Sequence, residues 1–381
     1  MLVTQLHSLV NTVTQEVLGS ETVVNEDLSN IVDIGNAIID SNSVDNYVKK
    51  LVDHIGKVTF VNRAYAGGVP SVLMDSWEFG SVLQKIATDL PEAQENSSWD
   101  LTDGQEYSQD EFKAPNVSAK FYNKRVTFEI QMSFTEKQLK SAFSSAEQLN
   151  GFVSMLNTSV ENSMTVKLDS LIMRAINNMI GITSVSDSKG VRAINLLESY
   201  NVERGQSLTA DKAINDKDFI QYATYKMGVV SDRMTKISSL FNGGGQSRFT
   251  PKDLQNVVLL SDFAKASQVY LQSGTFHKED VALPNHDTVP FWQGSGDDYS
   301  FDKISSIEVK TSAGDTVQLT GIIGTIFDKE SVIVCNVDKR TTTAYNARAE
   351  FFNNWFKADT QYINDQNENF VFFYVADTVT P

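Results

Sequence analysis

Residue types that could do chemistry are sparse in this 381-residue chain, which has four histidines, His7, His54, His277 and His286, and one cysteine, Cys335. His277, Glu279, Asp280, His286 and Asp287 are the one group with the donor types of a metal site. Their spacing matches no ligand motif. They also fall in 274–300, where turn glycines and two prolines point to an irregular loop rather than one helix face. A solvated polar loop is the expected reading; a hydrolase with its site there is the enzymatic alternative. Gly243-Gly244-Gly245 follows a helical pattern and has no Lys-Ser/Thr after it, so it is not a phosphate loop. Gly294-Ser295-Gly296-Asp297-Asp298 has no helix behind it to lend a dipole, and no Gly-x-Ser-x-Gly elbow occurs. A single cysteine excludes an intrachain disulfide and a Cys-rich metal centre. The expectation is no catalytic residue, no cofactor and no metal: not an enzyme.

Charge says more. The net charge is −16. Phosphate binding needs clustered Lys and Arg, and the longest basic clusters here are the pairs Lys49-Lys50, Lys124-Arg125 and Lys339-Arg340. Between residues 89 and 111 lie eight acids, Asp89, Glu92, Glu95, Asp100, Asp103, Glu106, Asp110 and Glu111, with no Lys or Arg among them. Such a self-repelling tract cannot make a core of its own and reads as an extended projection.

The elements around these residues follow from pattern. Phe134–Gly181 organises the chain. Thr135 and Gln138 form a capping box, and Phe134 and Leu139 a hydrophobic staple. Apolar residues then recur at helical spacing from Leu139 to Met179. Asn150-Gly151 is where the run can bend or break, with Ser145 and Gln148 able to restart it; Gly181 is the expected stop. The second part alone would be roughly 45 Å long at ~1.5 Å per residue. It has neither the regular heptads of a coiled coil nor the apolar continuity of a membrane span.

Residues 1–60 read as an amphipathic helix over Met1–Gly19 and two short ones over Leu28–Ile39 and Val44–Ile55, capped by Asp27 and Ser43. Met1–Gly19 does not resemble a signal peptide. These helices either pack on the main body or form an arm lying on a neighbour. Residues 61–133 read as a long β-hairpin. Its outgoing arm lies around Trp77, Phe79, Val82 and Leu83. Its returning arm is the alternating Val126, Phe128, Ile130, Met132, Phe134. Residues 182–300 are mixed: a helix over Asp218–Phe241 ended by the glycine triplet, a buried strand at Asn256–Leu260, and a helix from Phe263. Residues 301–381 are mostly strand, with a hairpin around Ser312-Ala313-Gly314-Asp315. Phe370–Val375 is expected to insert beside an earlier strand.

This order of parts resembles the major capsid proteins of tailed bacteriophages, with the Hong Kong 97-type fold. Trp77-Glu78-Phe79-Gly80 through Leu90-Pro91 and Phe134-Thr135-Glu136-Lys137-Gln138-Leu139 look like that family's hairpin and helix start. Arg340-Thr341-Thr342-Thr343, Phe351-Phe352-Asn353 and Glu368-Asn369-Phe370-Val371-Phe372-Phe373 are similar to its closing strands. The resemblance covers most of the chain from about residue 60. It implies an α+β shell subunit: an N-terminal helical arm (1–60), an extended loop (61–134), a peripheral domain with the spine helix (135–185), an axial domain (186–325) and return strands of the peripheral domain (326–381). It implies pentamers and hexamers in an icosahedral head around double-stranded DNA that is not bound sequence-specifically. Assembly would take place in the bacterial host cytoplasm, with a separate scaffolding protein and a portal, and without a membrane. An encapsulin-like compartment is the alternative with the same fold.

A shell subunit buries its projections on sister copies. The acidic tip, with Asp100, Asp103 and Glu106, then needs a basic landing site. Lys120, Lys124 and Arg125 on the stem, or Lys49, Lys50, Lys57 and Arg63 on the arm, are the candidates. Reversing Lys49 and Lys50 to Glu is expected to hinder assembly and leave the monomer folded.

Overall fold

A computed structural model describes residues 3–19, 24–25, 29–40, 43–51, 69, 72–74, 83–88, 100–107, 114, 117–122, 125–213, 215–272, 286–292, 306–310 and 316–377. Its helices are α1 (Val3–Leu18), α2 (Ile31–Asp40), α3 (residues 44–51), α4 (Glu136–Ala142), α5 (Ala146–Ser186), α6 (Leu196–Arg204), α7 (Ala210–Ala213), α8 (Lys217–Met234) and α9 (Ser261–Gln272). Its strands are β1 (Leu73–Met74), β2 (Leu83–Thr88), β3 (Val117–Tyr122), β4 (Arg125–Thr135), β5 (Ala193–Asn195), β6 (Gln255–Leu260), β7 (Asp287–Val289), β8 (Ile307–Lys310), β9 (Thr316–Leu319), β10 (Ile322–Asp328), β11 (Val332–Asn346), β12 (Phe351–Asn364) and β13 (Phe370–Tyr374). They form two compact units.

Unit one comprises Met1–Glu78, Arg125–Met173 and Val334–Tyr362. Its sheet has the order β1-β11-β12-β4. Strands β4 and β12 run antiparallel through eleven pairs, from Phe351 opposite Thr135 to Gln361 opposite Arg125. Phe134, Phe352 and Phe356 are buried on one side of this sheet with Leu149, Leu156 and Val160 of α5. The N-terminal helices join the same core through Val10, Val13, Ile34, Ile38, Tyr47 and Val48. Their apolar stripes are therefore spent on their own chain: the described part of residues 1–60 is packed, not a free arm. Tyr47 meets the Phe143 ring edge-on at 5.5 Å. A Cβ on Gly35 would lie 2.6 Å from Phe143 Cβ, so α2 approaches Phe143 as only glycine permits.

The helix start is as read. Thr135 Oγ1 accepts from the Gln138 amide and the Gln138 side chain accepts from the Thr135 amide. The break comes at 143–145, and Ser145 Oγ then caps α5 by accepting the Gln148 amide. Helix α5 runs through Asn150-Gly151 without interruption. It also passes the expected stop at Gly181 and ends at Ser186.

Unit two comprises Phe79–Lys124, Arg174–Ile333 and Ile363–Pro381. Its sheet has the order β5-β13-β10-β6-β7. The final strand β13 is entirely buried, parallel to β5 and antiparallel to β10. It inserts between earlier strands as expected, but it belongs to unit two, whereas the strand before it, β12, lies largely in unit one. Gly321 turns the chain into β10 at φ 74°, against the Val375 carbonyl, where any Cβ would collide. The predicted hairpin around 312–315 is β8 with β9.

Two further expectations are corrected. Strand β4, expected as the hairpin's returning arm, pairs with β12. Its alternation arises because its even-numbered residues, Phe128, Ile130, Met132 and Phe134, face the core of unit one. The hairpin is instead β2 with β3, from Leu83 opposite Tyr122 to Thr88 opposite Val117. Helix α8 ends at Met234, not Phe241, because Ser238 and Arg248 exchange backbone hydrogen bonds and draw the chain into a loop.

Candidate functional site

The site is the root of the acidic hairpin. In β2 and β3, residues alternate faces. Lys85 stands directly opposite Lys120, and Leu83 opposite Tyr122. Like charges facing each other across a ladder are destabilising, so this face needs counter-charge. The turn after β12, with Asp365 and Glu368, and the β10–β11 turn, with Glu330, supply it. Lys85 Nζ lies 2.9 Å from Glu330, 3.1 Å from Asp365 and 2.8 Å from Glu368. Lys120 donates to Asp365 at 3.3 Å, and Arg248 reaches Glu368 at 3.4 Å. Three cations and three carboxylates thus balance.

The turn itself is stiffly held. The Asp365 amide donates to the Ser331 carbonyl at 2.8 Å, and Asp365 Oδ1 accepts from the Asn367 amide at 3.0 Å. The amides of Gly243 and Gly244 both donate to the Gln366 carbonyl, at 2.8 and 2.9 Å. The glycine triplet is therefore a clamp on this turn. Burial alone would raise the pKa of Asp365, but the Asn367 amide and Lys85 outweigh it and hold it below the ordinary value. Burial opposes the charge on Lys85, but Glu368, Glu330 and Asp365 hold its pKa above the usual lysine range. Burial and the Asp365 carboxylate push the Tyr122 phenol up.

The opposite face of the hairpin carries exposed apolar side chains in register with Gln84 and Thr88. Ile86 is 62% exposed, Phe121 63% and Val117 53%. An ordinary surface hairpin buries its apolar face and solvates its charges. Here the polarity is reversed.

The residues singled out in the sequence fall as follows. Asp100, Asp103 and Glu106 are exposed; the chain turns there through a Gln105 amide bond to the Thr102 carbonyl and Gly104 at φ 83°. Lys120 is part of the ionic root. Arg125 is exposed at the start of β4. Lys49 pairs with Asp45 at 2.7 Å, and Lys50 with Glu16 at 3.0 Å. Lys124, Lys57, Arg63, His54 and the Asp27 cap lie outside the described residues, as do His277, Glu279 and Asp280. His286 and Asp287 are at the start of β7. Among the described residues no group of three or more His, Cys, Asp or Glu could hold a metal, and no helix is long and apolar enough to cross a membrane. Sequence reasoning missed Lys85, Arg248, Glu330, Asp365 and Glu368. The one local signal was a lysine alternating with Leu83 in a strand beside an acidic tract.

The profile of the Phi29-like phage major capsid proteins matches residues 10–374. The chain belongs to that family. The major capsid protein of Bacillus phage GA-1 is 23% identical over 209 residues, which span 52% of this chain and 43% of that protein, less than half its length. The capsid structure of Staphylococcus phage Andhra matches with a TM-score of 0.54 at 9% identity, covering 82% of this chain and 86% of that one. A structure titled for the head fiber and inner core protein gp22 of bacteriophage P68 matches with a TM-score of 0.52 at 9% identity, covering 83% and 86%. At such identity the likeness is one of fold. The fold is the α+β Hong Kong 97-type fold of tailed-phage capsids.

Proposed function

We propose that copies of this chain tile the head shell of a tailed phage, as pentamers and hexamers around packaged double-stranded DNA. Unit one corresponds to the peripheral domain, unit two to the axial domain, and the β2–β3 hairpin with its acidic tip to the extended loop. The observation that carries the reading is the family match over residues 10–374. The hairpin supports it: a projection with its charges turned inward and its apolar face outward is built to be covered by another molecule. A net charge of −16 suits a surface that DNA can slide past without sticking. A separate scaffolding protein and a portal complete the assembly in the host cytoplasm.

Electron microscopy of the expressed chain, with and without a scaffolding protein, tests this. Closed shells of uniform curvature are the expected result, and the nucleic acid they hold separates a phage head from an encapsulin-like compartment. A small closed oligomer under every condition sinks the proposal.

A further inference from the structure

The loop after α8 and the β2–β3 hairpin grip one and the same turn, residues 365–368. The loop is closed at its ends by Ser238 and Arg248, whose backbones exchange hydrogen bonds at 2.9 and 3.0 Å. It is stiff in between. Asn242 binds the Gln246 backbone in both directions, donating to its carbonyl at 2.6 Å and accepting from its amide at 3.0 Å. The Phe370 amide of β13 donates to the Phe241 carbonyl at 2.8 Å, and the Gly243 and Gly244 amides donate to the Gln366 carbonyl. In a loop held at so many points, a shift is passed along the bonds rather than absorbed.

Two routes lead from the loop to the hairpin, one to each strand. Arg248 Nε lies 3.4 Å from Glu368 Oε1, and the same oxygen lies 2.8 Å from Lys85 Nζ of β2. The Glu368 side chain is 10% exposed, so its charge has little water to turn to when a cation leaves. The second route is steric. A Cβ on Gly244 would run into Asn367 Oδ1 and lie 2.9 Å from its Cγ. The Asn367 amide donates at 3.0 Å to Asp365 Oδ1, the atom that also accepts from Lys120 of β3 at 3.3 Å. We infer that the 238–248 loop is a conformational lever on the hairpin. Displacing the loop loosens Glu368 on Lys85 and Asp365 on Lys120, and frees the hairpin from the turn while the five-stranded sheet stays intact. By linkage the effect is reciprocal: a hairpin drawn off the turn loosens the loop. The coupling lies within one copy and does not depend on the shell reading.

Hydrogen exchange of the full chain before assembly tests the lever. Arg248→Gln removes a charge from the loop without adding bulk, and Lys252→Gln removes the same charge from the exposed pair that Lys252 makes with Asp232. R248Q should speed exchange in 83–88 and 117–122 by roughly 5–150-fold, the range of an ordinary coupling, and leave β10 and β13 unchanged. K252Q should move neither. In a K85Q background R248Q should add nothing further at 83–88, because the two side chains act through one carboxylate. K85Q alone should speed exchange of the 238–248 amides, and Gly244→Ala should speed 117–122 by the steric route. Unchanged hairpin exchange in R248Q overturns the lever, whether or not the glycine variant folds. Equal speeding by K252Q, speeding that spreads into β10 and β13, or full additivity with K85Q overturns it as well.

Discussion

Lys85 Nζ stands 3.1 Å from the carboxylate of Asp365, whose side chain is 1% exposed. The same carboxylate holds Lys120, the residue opposite Lys85 in the hairpin ladder. One buried acid thus bridges the two lysines that face each other in the hairpin and ties the hairpin to the turn after β12. Asp365→Asn leaves two lysines facing each other with one shared partner removed. Breaking a buried pair costs ~3–5 kcal/mol, and the remaining Glu368 and Glu330 contacts place this case at or below the lower end. Hydrogen exchange should show residues 83–88 and 117–122 losing protection ahead of β10 and β13. Equal protection in the variant would show that something other than this ion pair holds the hairpin.

The same pair sets a pH dependence. The folded pKa of Asp365 is lowered, so its stabilisation is present above the unfolded value of ~3.9 and disappears as pH falls through the still lower folded value. Asp359, held low chiefly by Arg340, acts in the same sense. The folded pKa of Lys85 is raised, so its contribution is complete below ~10.4 and is lost only as pH climbs past that. The root is therefore locked through the neutral range and opens only at the extremes. Denaturation midpoints measured against pH should be flat near neutrality and fall in acid, and D365N should flatten the acid limb.

What the sequence showed and what it hid divide along physical lines. The capping box at Thr135 was legible because its bonds close within three residues. The insertion of Phe370–Tyr374 was legible because five consecutive apolar residues need cover on both faces. The partner of β4 was not: alternation reports that one face of a strand is buried, not which strand lies alongside. The ionic root was illegible because Lys85 and Lys120 meet acids more than two hundred residues away. The helix stop at Gly181 was misread because a glycine costs a helix interior only ~1 kcal/mol, which packing easily overrides.

That last point gives a paired test. Gly151 and Gly181 both lie inside α5. A Cβ at Gly151 meets nothing within 4 Å, whereas at Gly181 it would lie 2.9 Å from Val309 Cβ. Gly151→Ala should stabilise by up to ~1 kcal/mol through helix propensity. Gly181→Ala should destabilise by ~1–3 kcal/mol through overpacking. Chemical denaturation of the two variants checks the opposite signs; two stabilised variants would show that Val309 yields freely.

Thr135 closes β4 and caps α4 at one position. Thr135→Ala removes the acceptor for the Gln138 amide, while the Gln138 side chain can still reach the residue 135 amide. Loss of such a cap costs ~1 kcal/mol. The expected readout is a slightly lower denaturation midpoint with unchanged strand pairing, and Thr135→Ser should restore most of it. A serine variant as unstable as the alanine one would mean that the methyl group, not the hydroxyl, matters there.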